Sequence, residues 1–115
     1  MLSPESAHPR RIVLVDYPHA DTEGKKQRPA VVVSTLDYFQ QTKRITVLMI
    51  TSKEQKAKCE TDRVILRWQE AGLVKPSAVR CRPNSLLTDR TYPIGQLQPS
   101  DFNEAMAALR QALGI

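Results

Sequence analysis

The sequence predicts a mainly β domain of the α+β kind, a small antiparallel barrel or sandwich with one helix at its C-terminus. Three observations lead there. Short runs rich in Val, Ile and Leu recur along the chain with Pro, Gly, Asp and Asn between them, the pattern of a compact architecture built from short strands. The period changes only at the end, where "PSDFNEAMAALRQALGI" sets Phe102, Ala105, Met106, Leu109 and Leu113 at helical spacing. At 115 residues the chain can enclose one core and is too short for two ordinary domains.

Taken in order, residues 1–10 mix Ser, Pro, Glu and His and have little to bury, so they are expected as a flexible N-terminal arm ahead of a single domain over 11–115. "RIVLVDYP" (11–18) reads as the first strand, ending at Pro18, and "HADTEGKKQR" (19–28) as a long polar loop. "PAVVVST" (29–35) is the second strand, with Pro29 at its first position because proline has no N–H to give a ladder. "DYFQQ" (37–41) is a helical turn or nothing regular.

"RITVLMITS" (44–52) is a near-continuous apolar run, which predicts a third strand buried on both faces. "TDRVILRW" (61–68) alternates more clearly and should keep one wet face. In "SAVRCRP" (77–83) the two-residue period puts Ala78, Arg80 and Arg82 on one face, Val79 and Cys81 on the other. Short runs at 85–88 and 93–97 complete the set, and the final helix is bounded by Ser100 as N-cap and Gly114 as terminator.

Charge and cysteine usage narrow the partners. Seventeen Lys and Arg against twelve Asp and Glu give a net charge of +5, which favours a polyanion such as nucleic acid or an acidic protein. No apolar stretch approaches the roughly 20 residues of a membrane span, and the first residues lack a signal-peptide core, so a cytoplasmic protein with reduced thiols is expected. Cys59 and Cys81 are compatible with one disulfide; two ordinary thiols are favoured, and neither has a second Cys or His at metal-ligand spacing, so no metal or cofactor is expected.

The stretch "KKQRPAVVVS" (25–34) fastens cations to the start of a strand. A residue before proline is pushed to extended backbone, so Arg28 is held at the strand entrance, although a solvated basic loop explains these ten residues as simply.

The order "IVLVDYP", a Gly-containing polar loop with a glutamate, "RPAVVVS", a strand ending "ITS", and "GLVKPSAVRC…LLTD…IGQL" before a terminal helix resembles the MazF/PemK (PemK-like) toxin family. The likeness runs from about Arg11 to the C-terminus. It implies a homodimeric SH3-like β-barrel, an mRNA interferase that cleaves single-stranded mRNA without metal and is neutralised by a small acidic antitoxin of the MazE/PemI kind. It also implies that Arg28 and Thr51, with Ser52 adjacent, form the catalytic core, and that Glu23, five residues before the arginine, belongs with them. In the plasmid-borne branch an Arg-x-Asp pair acts on a later strand; Arg80 matches its arginine, whereas Arg82 stands at the aspartate position. Arg10-Arg11 replaces the family's usual Gly-Asp before the first strand.

Attack by RNA's own 2′-hydroxyl needs in-line geometry, two proton transfers and charge stabilisation on a crowded phosphorane. Arg28 suits the last task because a guanidinium directs several donors at phosphate oxygens. Thr51 can hydrogen-bond a phosphate oxygen or the 2′-hydroxyl. For proton transfer the candidates are Glu23, Asp16, His19 and an arginine; Glu23 is taken as the base, against the alternative of a salt bridge to Lys25 or Lys26. A two-histidine mechanism is disfavoured, because His8 falls in the arm. Lys25, Lys26, Lys53, Lys56 and Lys58 flank the catalytic positions and, with Ser52, Arg80 and Arg82, are candidates for binding RNA. Arg82 can only donate where a carboxylate would accept, so two rivals stand: a degenerate homologue that binds RNA or antitoxin without cutting, and a gyrase poison of the CcdB kind.

Overall fold

The apolar run at the centre of the chain forms a strand, Arg44–Thr51 (β3), that lies inside the sheet with packed residues on both sides. Ile45 and Val47 point into one core, Leu48 and Ile50 into the other, which is the two-faced burial the sequence predicts. The structure is a computed structural model and describes residues 4–18, 25–52, 59–87 and 91–115.

Around β3 the chain adds Arg11–Pro18 (β1), Lys25–Val32 (β2), Arg63–Ile65 (β4), Ser77–Leu87 (β5) and Thr91–Gln96 (β6), in the order β4-β5-β3-β2-β1-β6 with each described neighbour pair antiparallel. The architecture is mainly β as expected, but the sheet is open: β4 and β6 are its edges, and no ladder joins them among the described residues. Helix Pro99–Leu113 (α2) covers one face, burying Ala105 and Leu109 against Ile12, Val31, Leu48 and Ile50. The other face carries Val13, Val15, Ala30 and Val32, covered by Leu36 and Phe39 of the short helix Leu36–Thr42 (α1).

Several elements depart from the sequence expectation, each for a local reason. From Pro4 onward the segment expected as a flexible arm is tied down: Pro4–Ala7 form a 3-10 turn, Ala7 is buried in the second core, and Arg10 N–H bonds Val32 O at 2.9 Å. Arg10 takes the left-handed backbone shape that favours glycine, with φ of 76°, and its Nε donates to Leu97 O at 3.0 Å. The segment 37–41 is a true helix, because the Thr35 hydroxyl accepts the N–H of Tyr38 and Lys43 in left-handed conformation returns its N–H to Phe39 O.

β2 starts at Lys25, so Pro29 lies within the strand and not at its head. β4 stops after three residues, and its wet face carries Val64. There the carboxylate of Asp101, itself buried, takes the N–H groups of Leu66 at 3.0 Å and Arg67 at 2.9 Å and turns the chain out of the sheet. The two short runs at 77–83 and 85–88 merge into the single strand β5. α2 begins at Pro99 with Gln98 as N-cap, two residues ahead of Ser100, and ends at Gly114 with φ of 74° as expected.

Candidate functional site

Pro29 has a consequence for the sheet. β2 stays paired with β1 from Val31 back to Lys25, but its pairing with β3 covers only Val32↔Val47, Val31↔Leu48 and Ala30↔Met49. A proline has no N–H to continue a ladder, and the β2–β3 pairing stops at the residue before it is reached. Continued by two residues, the same register would set Arg28 opposite Thr51. Instead the strands part there, and the gap is a cleft of about 540 Å³ lined by Gln27, Arg28 and Pro29 on one side and Ile50, Thr51 and Ser52 on the other. Its remaining wall is the segment Leu73, Val74, Lys75 and Ser77, with Arg80.

The wall is built from behind. Gly72, at φ of 92°, and Gly95 lie back to back: a Cβ on Gly95 would sit 1.9 Å from Ala71 O, so β6 and the turn before Leu73 can touch only with glycine there. Gln96 N–H bonds that same carbonyl at 3.1 Å. Ser77 hydroxyl donates to Lys75 O at 2.9 Å and fixes the bend across Pro76.

On the other side the β3–β5 ladder is interrupted. It passes from Leu48↔Pro83 to Ile50↔Val79, so β5 carries two more residues than β3 over this stretch, and Arg80, Cys81 and Arg82 bulge opposite Met49. Bulges re-aim side chains, and here a second cleft of about 210 Å³ opens, lined by Arg28, Met49, Ile50, Thr51, Arg80, Arg82 and Asn84. The two clefts share Arg28, Ile50, Thr51 and Arg80.

Of the residues singled out in the sequence, Arg28, Thr51, Ser52 and Arg80 line the first cleft, and Arg28, Thr51, Arg80 and Arg82 the second. Lys25 and Lys26 belong to β2 by their backbone, at the positions opposite Pro18 and Tyr17. Glu23, His19, Lys53, Lys56 and Lys58 fall outside the described residues. Cys81 lies apart from the clefts, with its N–H on Asp62 Oδ1 at 3.3 Å; burial pushes its thiol above the ordinary value, the Asp62 charge adds to this and Arg63 opposes it. Cys59 is exposed and both thiols are free.

Lys75, Met49 and Asn84 were not anticipated. The signal for Lys75 was present: the sequence contains three Lys-Pro or Arg-Pro pairs, Arg28-Pro29, Lys75-Pro76 and Arg82-Pro83, and all three cations line the clefts. Met49 and Asn84 have no such mark: Met49 faces the bulge, Asn84 pairs with Val47 just before it, and that arrangement is a property of the pairing.

Chemically, the clefts gather Arg28, Lys75, Arg80 and Arg82 with no Asp or Glu among their described lining residues. Arg80 Nε is buried and has no hydrogen-bond partner among the described residues, a donor that an incoming anion would satisfy. Such a site can hold a phosphodiester and place a hydroxyl, that of Thr51, beside it.

The sequence matches the family described as "PemK-like, MazF-like toxin of type II toxin-antitoxin system" over residues 8–113. No curated protein matches by sequence. Solved structures share the fold: a chain of the MazE-MazF complex (Form-II) from Deinococcus radiodurans has a TM-score of 0.76 at 20% identity, with 94% of this chain and 96% of that chain covered. The Mycobacterium tuberculosis toxin MazF-mt6 has a TM-score of 0.73 at 20% identity, covering 92% and 98%. An endoribonuclease from a Mycobacterial species gives 0.71 at 18% identity, covering 95% and 93%. With an unbroken match over almost its whole length, this chain belongs to the PemK-like, MazF-like toxin family of type II toxin–antitoxin systems.

Proposed function

We propose that this toxin is an endoribonuclease that cuts single-stranded mRNA by attack of the substrate's own 2′-hydroxyl, without a metal ion. The observation that carries the reading is the sharing of both clefts by Arg28, Thr51 and Arg80. The 2′-oxygen bonds the adjacent phosphorus and the bond to the 5′-oxygen breaks, leaving a 2′,3′-cyclic phosphate and a 5′-hydroxyl. One proton leaves the 2′-hydroxyl and one is delivered to the departing oxygen. Arg28 and Arg80 donate to the non-bridging oxygens, where charge grows in the transition state. Thr51 hydrogen-bonds a phosphate oxygen or the 2′-hydroxyl and holds the in-line arrangement. Glu23 is the proposed base, and Lys25, Lys26, Ser52, Lys53 and Lys56 are proposed to track the RNA strand beyond the scissile phosphate.

The net charge of +5 suits RNA and equally a small acidic antitoxin, which would neutralise the toxin by covering the same cations. The relatives crystallised as MazE-MazF complexes support that partner, and a homodimer is proposed with it. The test is cleavage of a single-stranded RNA by purified protein in EDTA, with the ends identified by mass. Wild type should yield cyclic-phosphate ends, Arg28→Ala none, and Thr51→Ala should lose about a hundredfold or more in turnover while still binding RNA. Intact RNA after prolonged incubation with folded wild type would leave the degenerate-homologue reading; inhibition of gyrase supercoiling by that same protein would point to a CcdB-like poison.

A further inference from the structure

The second cleft differs from the first in what it adds to the shared residues. The first adds Lys75 with mostly small, polar or aliphatic residues; the second adds Met49, Arg82 and Asn84, that is, one flexible, polarisable thioether, one guanidinium and one amide. Those are the groups that grip and read an unpaired base: a soft surface to lie on and directed polar atoms at its edge.

The polar atoms have a definite sense. Asn84 Nδ2 donates to Arg82 O at 3.2 Å, and a carbonyl can only accept, so this bond orients the amide and leaves its Oδ1 as the acceptor. Arg82 is an exposed guanidinium, which can only donate. No described residue lining the cleft is a carboxylate. Beyond the residues it shares with the first, the cleft therefore offers a two-pronged donor in Arg82 and an amide acceptor in Asn84.

Among the bases, guanine carries two adjacent acceptors, O6 and N7, that match a guanidinium fork, and N–H donors on its remaining edge for an amide oxygen. Adenine and cytosine each turn an amino donor toward that fork, and uracil gives it one oxygen where guanine gives two acceptors. We propose that Met49, Arg82 and Asn84 form a guanine-selecting pocket beside the scissile phosphate. Arg82 forks to O6 and N7, Asn84 Oδ1 accepts from the base, and Met49 lies against its face. Arg28, Thr51 and Arg80, common to both clefts, hold the phosphate next to it. The bulge in β5 makes the pocket, because it swings Arg80 and Arg82 out of the ladder opposite Met49.

This specificity rests on the nuclease reading, and the experiment separates the two. Cleavage ends are sequenced from a randomised RNA treated with wild type, Arg82→Asp and Asn84→Ala. In parallel, 2′-O-methyl oligonucleotides that cannot be cut and differ in one base are titrated by fluorescence anisotropy. Wild type is expected to prefer guanine beside the cut, and in binding, by about tenfold to a hundredfold. Arg82→Asp, whose carboxylate accepts, should turn the preference to adenine or cytosine, and Asn84→Ala should flatten it, both with unchanged circular dichroism. A purely structural role for Arg82 would lower cleavage of every sequence alike and overturn the proposal, as would cutting without guanine preference. Guanine-selective binding without any cutting would uphold the pocket and sink the nuclease.

Discussion

Asp101 is the support on which the cleft wall can be tested without touching the cleft. Its carboxylate is 5% exposed and accepts two backbone N–H groups, from Leu66 at 3.0 Å and Arg67 at 2.9 Å, joining the first turn of α2 to the chain as it leaves β4. That chain runs on through Ala71 and Gly72 into Leu73, Val74 and Lys75 of the wall. A hydrogen bond to a charged group contributes about 1.5–3 kcal/mol, and two would sum to about 3–6. Leu66 and Arg67 are exposed, so water can take over part of the lost bonding, which brings the expected cost of Asp101→Ala to about 2–4 kcal/mol. Asp101→Asn keeps one acceptor but turns an amide N–H₂ toward the second donor, for a cost of about 1–3 kcal/mol. Urea unfolding followed by circular dichroism measures both, and the alanine variant should also bind RNA more weakly at temperatures where it is still folded. A loss below about 0.5 kcal/mol for Asp101→Ala would show that α2 holds this turn by packing alone.

Other expectations follow from the same geometry. Gly95→Ala would drive a methyl into Ala71 O and should destabilise the fold by about 3 kcal/mol, read as a shifted unfolding midpoint; Gly114→Ala, whose Cβ meets nothing within 4 Å, should cost only the strain of its positive φ, about 1 kcal/mol. Pro29→Ala returns an N–H to β2 and lets pairing with β3 reach Arg28 and Thr51, so RNA cleavage should fall by about tenfold or more while stability moves by less than about 1 kcal/mol. With iodoacetamide, peptide mapping should find Cys59 labelled first and Cys81 only at higher pH. The folded Cys81 thiol holds its proton to a higher pH than the unfolded one, so its share of stability is present below the ordinary thiol range and falls as pH rises through the raised value.

The strands were legible wherever burial decides the residue type. β1 and β3 lie within a residue of their sequence boundaries, and the run through Leu48 foretold a strand between two cores because Thr46 is the one polar residue between Ile45 and Ile50. What could not be read depends on partners distant in sequence. The end of β4 at Ile65 is set by Asp101, thirty-five residues on from Leu66, and no local feature of "RVILRW" marks it. The N-terminal turn was missed because Ala7 is small and its neighbours are polar, yet a methyl group in the right place suffices to fill the core. Arg28, Thr51, Ser52, Arg80 and Arg82 were named through family resemblance and short-range spacing, whereas Met49 and Asn84 needed the register shift between β3 and β5 to be seen.

The three cation-proline pairs show how a sheet can make a binding site out of its own defects. In an intact ladder Arg28 and Thr51 would face each other across closed strands, with no room for a ligand. Pro29 ends the pairing of β2 with β3; Pro83 stands where the β3–β5 register begins to slip; Pro76 precedes the first residue of β5. At Pro29 the missing N–H ends the pairing of β2 with β3, while Pro76 and Pro83 flank the irregular stretch of β5, and the residue before each proline is biased toward extended backbone. Lysine or arginine at that place turns a structural break into a cationic crevice. The same three residues could sit on regular strands and give the protein the same net charge, but not a cleft. Placement by proline, and not basicity as such, concentrates the charge where Thr51 stands.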